Sequence, residues 1–415
     1  MGTKLLCQKK NNFYQYKNYF KSGMVILKSL GKNYFNEIVE MKKVGHTISV
    51  MDEEGLMYFS SEDFIKRRIY KENLKYIDYI FAWGEDDFQI LTNALPEHKD
   101  KIFKTGSSRI DILKNPIKEI YLDEALKIKK KYGNFFLFNT FFTFTNHFFG
   151  SIVKKRLEVL QSEGFSEKSL VYSNGLKMEK LQAKTLEKTI DFIDKFSKKY
   201  PEEKLIIRPH MSESHELWRR LDQKYKNIHT IYDDCNTCSW IMASNFAISS
   251  NCTTSVEAFL LKKLNYNFVP INDNDVMFNL PKISGIQVDS PDNLIKKIEE
   301  FKNKNTDAEN FEKIFNKNYE KLKTNMYNLS REVCSVENMI QCFSKETNKK
   351  SLKKKDIKIN YFNFIYNKAK SKIRFYIMLI KATFNQEIRG RINFAIQKFP
   401  NLTVDEVEHK ISSIA

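Results

Sequence analysis

The chain has 415 residues, 42% hydrophobic and 13% aromatic, with 69 Lys and Arg against 51 Asp and Glu for a formal net charge of +18. That length exceeds one ordinary core and that composition excludes a chain disordered throughout, so two domains with appendages are expected, together with an anionic partner: nucleic acid, a phosphorylated substrate or an acidic membrane face. No apolar run approaches the roughly 18–20 residues of a spanning helix, and Met1-Gly2-Thr3-Lys4 does not open a signal peptide, so the protein is expected in the cytoplasm.

Residues 1–30 are basic and aromatic and show no clear opening strand. From Lys32 to Lys43 the spacing of Phe35, Ile38, Val39 and Met41 predicts a helix, which Gly45 ends. His46–Met51 alternates like a strand and runs into Asp52-Glu53-Glu54-Gly55. Adjacent carboxylates at a strand end repel one another, which raises the pKa of at least one and suits a general base near neutrality. Gly55 allows a tight turn and close ligand approach; a solvated acidic turn is the plain alternative. Ser61–Leu74 predicts a helix, Tyr79–Trp83 a strand ending at Gly84, and Glu85–Thr92 a helix with an acidic first turn. Ile102–Lys104 is a further strand before Thr105-Gly106-Ser107-Ser108-Arg109, which reads as a structural turn with Arg109 a candidate for an anion. Asn115-Pro116 closes a first domain, 1–115, and a linking helix occupies 116–133.

Asn134–Phe144 is an aromatic strand opening a second domain, 134–345, with Asn139-Thr140 candidates to face a ligand. Residues 150–180 carry little signal and read as a loop or insertion; Thr185–Lys199 is an amphipathic helix. From Lys204 to Val269 the apolar runs Leu205–Ile207, Asn245–Ile248 and Asn267–Val269 alternate with helical segments, the pattern of βαβ units feeding a parallel sheet. Polar residues just past such strands gather in one crevice. Arg208 and His210 follow the first run; Ser249, Ser250, Asn251, Cys252, Thr253 and Thr254 follow the second, with Thr253 or Thr254 as helix cap. Hydroxyls and free N–H groups at a helix N-terminus make an anion site, most naturally for phosphate. Glu257 follows within the same helix and is placed to accept hydrogen bonds from ribose hydroxyls, or else to meet the helix dipole.

Pro281–Val288 reads as a strand region, and Ser290-Pro291-Asp292 caps a helix at Asn293–Phe301. Cys235-Asn-Thr-Cys238 has the spacing of half a zinc site but lacks a second pair, and Asp273-Asn-Asp275 has no partners, so no metal is expected. The tail, 346–415, interleaves basic and apolar residues; a basic helical extension touching anionic lipid through residues 349–397 and a helix docked on the protein are both open.

Several of these landmarks, in this order, are similar to the bacterial surface carbohydrate biosynthesis proteins. They are Gly45-His46 through Leu56, Phe81-Ala82-Trp83-Gly84, Lys104-Thr105-Gly106 with Arg109 and Asp111, Phe135–Phe142, Arg208-Pro209-His210 with Glu213 and Trp218, Trp240-Ile241, and Asn251-Cys252-Thr253-Thr254 with Glu257-Ala258. The resemblance covers about residues 20–300. It implies an α/β chain of the GT-B class, two Rossmann-like domains facing a cleft, the second holding a nucleotide-sugar donor. A more distant likeness to GT-B enzymes using CMP-activated sialic acid or Kdo pairs an acidic-acidic-Gly motif, here Asp52-Glu53-Glu54-Gly55, with a His-Pro motif, here His210. Met211 stands where that motif has proline, and the first domain looks shortened.

These resemblances imply a metal-independent glycosyltransferase of capsule, O-antigen or lipopolysaccharide synthesis, moving a sugar from a donor, CMP-linked by the likeness, to a glycan or glycolipid acceptor at the inner membrane face, without a separate cofactor. Asp52 or Glu53 would take the acceptor proton or act as nucleophile, while Arg208, His210 and Ser249 through Thr254 hold the leaving nucleotide; Glu54, Gly55, Arg109 and Asn139 would line the acceptor side. A CDP-glycerol or CDP-ribitol phosphotransferase is the rival enzyme. A nucleic-acid-binding protein is the rival of another kind, disfavoured because the charge forms no basic groove interleaved with stacking aromatics.

Overall fold

The computed structural model describes Gly23–Thr347, apart from residues 54–57, 59, 151–157, 159–160, 162–168, 233–235, 304–307 and 331, and a few isolated positions beyond. Glu54, Gly55, Cys235 and nearly all of the tail therefore lie outside the described residues. The chain forms two α/β units, each built on a parallel sheet.

The first unit runs to Asp111. Its elements are β1 (Met24–Leu27), α1 (Phe35–Lys43), β2 (Thr47–Met51), α2 (Ser61–Arg68), β3 (Tyr79–Ala82), α3 (Glu85–Ala94), β4 (Ile102–Lys104) and the short α4 (Ser108–Asp111). All strand pairs are parallel and the order is β1-β2-β3-β4. Helix α1 ends as its sequence predicts: Gly45 has φ 92°, its N–H meets Lys42 O, and His46 N–H reaches Met41 O, the paired bonds of a Schellman motif. The sequence missed β1, an edge strand whose Met24 and Ile26 face solvent and so dilute its apolar signal.

The second unit begins at Ile112. It holds α5 (Leu122–Tyr132), β5 (Phe136–Asn139), α6 (Leu170–Lys199), β6 (Leu205–Arg208), α7 (His215–Lys224), β7 (Ile228–Thr230), α8 (Thr237–Ala243), β8 (Ala247–Ser249), α9 (Thr253–Leu260), β9 (Asn265–Phe268), α10 (Asn279–Ile283), β10 (Ile286–Val288) and α11 (Pro291–Lys302). The order β10-β9-β8-β5-β6-β7, all parallel, is the doubly wound arrangement, with its reversal between β5 and β8. Strands β5, β6, β8 and β9 are buried at every position; β5, β6 and β8 read as short apolar runs up to a polar last residue, while in β9 Asn265 and Asn267 alternate with Tyr266 and Phe268.

Three expectations need revision. The aromatic run Asn134–Phe144 is strand only over Phe136–Asn139; Phe142 and Phe144 are buried in the loop that follows. Much of the stretch read as a loop is helix, because α6 starts at Leu170, where Ser169 caps it by accepting from Tyr172 N–H. The boundaries also move. Helix α5, read as a linker, packs against α8 inside the second unit. The helix α12 (Ala308–Asn325) starts in the second unit, but from Lys323 the chain belongs to the first, including the described part of α13 (Ser335–Thr347).

Two glycines show how the first unit receives that returning segment. A Cβ on Gly84 would lie 2.4 Å from Thr324 O, and one on Gly106, at φ 83°, would lie 2.3 Å from Asn328 Oδ1. Asn328 accepts from Ser107 N–H at 3.0 Å and donates to Ser107 O and to Asp111 Oδ1. The buried Asp111 carboxylate also accepts from Ser335 N–H, at the start of α13.

Candidate nucleotide site and carboxylate cluster

At the reversal of the second sheet the last rung is polar across four strands. Asn139 pairs in register with Arg208 on one side and Ser249 on the other, and Ser249 pairs with Asn267. Register partners in a parallel sheet share a face, so these side chains stand in a row at the carboxyl edge, where α/β sheets take ligands. The Arg208 guanidinium lies 5.5 Å from the Trp240 ring centroid, a cation–π contact on the face that packs against α8. Ser249 donates to Asn267 Oδ1 at 3.5 Å. Asn139 is 4% exposed, and its Nδ2 has no hydrogen-bond partner among the described residues.

The loops beyond this rung are tied together. Phe141 N–H donates to Ser250 Oγ at 3.0 Å, joining the β5 and β8 loops. Asn251 holds φ 48°, donates its own N–H to Asn267 Oδ1, and exchanges two side-chain bonds with the Phe278 backbone. The residue that caps α9 is Cys252, with Thr253 the first helical position, so the expected threonine cap is displaced by one place. Burial pushes the Cys252 thiol up, against hydrogen bonds from Thr254, so it stays a neutral thiol near pH 7 and is no thiolate nucleophile. Glu257 lies in the second turn of α9, half-buried.

His210 stands edge-on to Phe141, ring centroids 5.6 Å apart. Ser212 N–H donates to its Nδ1 at 3.3 Å, and the Ser212 hydroxyl lies 2.7 Å from the same atom. A backbone N–H can only donate, so Nδ1 is an acceptor and the neutral ring carries its proton on Nε2.

Beneath these loops sits a carboxylate that the sequence reading mentioned but gave no role. Glu213 is 1% exposed and accepts from Thr140 Oγ1 (2.8 Å), Phe142 N (3.0 Å), His210 N (3.0 Å), Trp218 Nε1 (3.1 Å) and Asn146 Nδ2 (3.5 Å). Burial pushes its pKa up to about 7, while the donors pull it down. Five donors around one carboxyl leave little place for its own proton, so the geometry favours the carboxylate. A glutamate three places after His210 was the visible signal, but only the fold shows that it fixes both loops.

In the first unit, Asp52 and Glu53 follow β2 as the sequence expects, yet each carboxylate has a cation beside it. Arg68 grips Asp52 with two bonds, Nε to Oδ2 at 2.9 Å and Nη2 to Oδ1 at 2.7 Å. Lys28 pairs with Glu53, whose side chain is 37% exposed. A nearby carboxyl with a raised pKa is Asp87, in the first turn of α3. Burial pushes it up to about 7, helped by neighbouring Asp52 and opposed by the Trp83 N–H that Asp87 Oδ2 accepts at 2.9 Å. Asp87 Oδ1 is buried with no partner among the described residues. A cavity of about 10 Å³, water-sized, adjoins Asp52, Arg68 and Asp87. In the turn before Arg109, Ser107 N–H donates to Asn328 and Asn338 donates to Thr105 O.

Among the described residues no group of three or more His, Cys, Asp and Glu side chains could hold a metal, and no helix is long and apolar enough to cross a membrane. No family model matches the sequence, and no curated protein matches it. Solved structures resemble it distantly. Accessory secretory proteins 1, 2 and 3 of Streptococcus pneumoniae align at 8% identity over 82% of this chain and 57% of theirs, TM-score 0.41. This chain thus spans little more than half of that structure's length. UDP-GlcNAc 2-epimerase from Methanocaldococcus jannaschii aligns at 16% identity over 66% of this chain and 69% of its own, TM-score 0.40. The wall teichoic acid polymerase TagF aligns at 11% identity over 81% of this chain and 93% of its own, TM-score 0.45.

Proposed function

We propose that the chain is a GT-B glycosyltransferase of bacterial surface polysaccharide synthesis, using a nucleotide-activated sugar, CMP-linked by the family resemblance, and a glycan or glycolipid acceptor. One observation carries this: the sheet reversal in the second unit gathers Asn139, Arg208, Ser250 and the start of α9 at one carboxyl edge, with a buried amide donor, Asn139 Nδ2, that has no acceptor among the described residues. A phosphate oxygen satisfies such a donor and the helix N-terminus together. The Nε2 proton of His210 would stabilise charge on the departing nucleotide.

In the transfer, the acceptor hydroxyl oxygen attacks the anomeric carbon and the bond to the phosphate breaks. The electron pair leaves with the nucleotide, and the hydroxyl proton passes to a carboxylate. Glu53 is the more accessible candidate, with Asp52 fixed by Arg68 as its anchored neighbour; a basic tail would keep the enzyme at an anionic membrane face. Glu53→Gln should lower turnover by roughly 100-fold or more with nucleotide affinity unchanged, and near-normal turnover would remove the carboxylate from the mechanism.

The same donor set would also hold a CDP-polyol. Thermal shift with CMP-, UDP-, GDP- and CDP-linked sugars and polyols identifies the donor; stabilisation by CDP-glycerol or CDP-ribitol alone would establish the phosphotransferase, and stabilisation by none would end the nucleotide reading. Calorimetry should show His210→Ala weakening whichever nucleotide binds.

A further inference from the structure

A second buried amide at the same edge points to how the ligand is told from its relatives. A cavity of about 20 Å³ opens beside Ser250 and Asn251, walled by Phe141, Phe268 and Met277 and floored by Gln182 from α6. Gln182 is 3% exposed. Its Oε1 accepts from Phe144 N–H at 2.8 Å, which fixes which way the amide faces. Its Nε2 is buried with no hydrogen-bond partner among the described residues. Ser250 Oγ already accepts from Phe141 N–H, so its own proton is the one it can offer. Thr185, the next helical neighbour, gives its hydroxyl proton to Leu181 O at 2.8 Å.

The polar edge of this cavity thus offers donors, inside walls of aromatic rings and a thioether. A buried donor with no acceptor costs stability unless a ligand supplies one. The space is of water size, enough for one exocyclic oxygen of a flat ring lying at the mouth against the aromatic side chains. A ring amino group there would set donor against donor.

We propose that Gln182 is a specificity residue that donates from Nε2 to a nucleobase carbonyl, so that the site accepts oxo bases (cytosine, uracil or guanine) and discriminates against adenine. This rests on the nucleotide reading above. A site built to donate to an oxygen rejects a ligand lacking it through the donor left unpaired.

Calorimetry on the full chain with CMP, UMP, GMP, AMP and ribose 5-phosphate tests both layers. At least one oxo-base nucleotide should bind on the order of tenfold tighter than AMP, and AMP no tighter than ribose 5-phosphate. Gln182→Met should bring the oxo-base nucleotides down to the ribose 5-phosphate level while leaving ribose 5-phosphate itself unchanged. Gln182→Glu keeps the acceptor for Phe144; protonated, it still donates, and ionised, it does not. Its base selectivity should therefore be present at low pH and vanish as pH rises, which a merely structural role would not produce. AMP binding as tightly as CMP, UMP and GMP, or selectivity surviving in Gln182→Met, overturns the assignment while ribose 5-phosphate binding keeps the phosphate site. If neither ribose 5-phosphate nor any nucleotide binds, the nucleotide reading falls and this inference with it.

Discussion

The two units present opposite chemistry at the carboxyl edges of their sheets. In the first, the described strands are stacked in chain order, the strand-end carboxylates Asp52 and Glu53 are answered by Arg68 and Lys28, and a buried carboxyl oxygen beside them, Asp87 Oδ1, has no partner among the described residues. In the second, the order reverses at β5 and β8, the buried carboxylate Glu213 is saturated by five donors, and two buried amide nitrogens near that reversal, Asn139 Nδ2 and Gln182 Nε2, have no partner among the described residues. The contrast teaches that unmet hydrogen-bonding capacity is informative by its sign. Orphan donors call for an anionic or carbonyl-bearing ligand, whereas an orphan carboxyl oxygen calls for a proton.

The sharpest way to break this contrast is Glu213→Ala. Losing the one acceptor shared by five donors should cost about 3–5 kcal/mol and abolish nucleotide binding; chemical denaturation and calorimetry would show both, and a stable, binding-competent variant would deny Glu213 its role. Gly106→Ala comes next. With a positive φ and Asn328 against the new methyl, a loss of roughly 2–3 kcal/mol is expected in the first unit, read by hydrogen exchange around α13.

Asp87→Asn then tests the sign on the acidic side. Below about pH 4 folded and unfolded chains both hold that proton; between about 4 and 7 only the folded chain does, so wild-type stability falls across this window and levels off above it. Asparagine has no such titration. The variant should therefore gain on wild type by roughly 2–4 kcal/mol between pH 4 and pH 8, and parallel stability curves would place Asp87 as ordinarily ionised. The smallest effect belongs to exposed pairs such as Lys195 with Asp292, whose removal should leave the denaturation midpoint nearly unchanged.

Much of the second sheet was legible because buried parallel strands leave short apolar runs between helical stretches, and β6, β8 and β9 fall within two residues of where the pattern puts them. The polar turn between β8 and α9 was legible for the same reason, since its residues stand between an apolar run and a helical stretch. What escaped the sequence is mostly long-range. Gln182 sits in a helix whose early turns look like loop, and its value comes from Phe144, 38 residues away. Gly84 and Gly106 read as turn glycines, but they are small because residues 324–328 press on them. The acidic run after β2 promised mutual repulsion; Arg68 and Lys28, distant in sequence, supply partners no local pattern reveals.

That docking of the late segment on Gly84, Gly106 and Asp111 has a consequence for how the protein is made. During synthesis the amino-terminal sheet emerges more than two hundred residues before Asn328 and Ser335 reach it. Asp111 therefore meets these partners only after residues 112–322, the intervening unit, have been translated, so the amino-terminal segment alone does not contain all the groups that complete its packing.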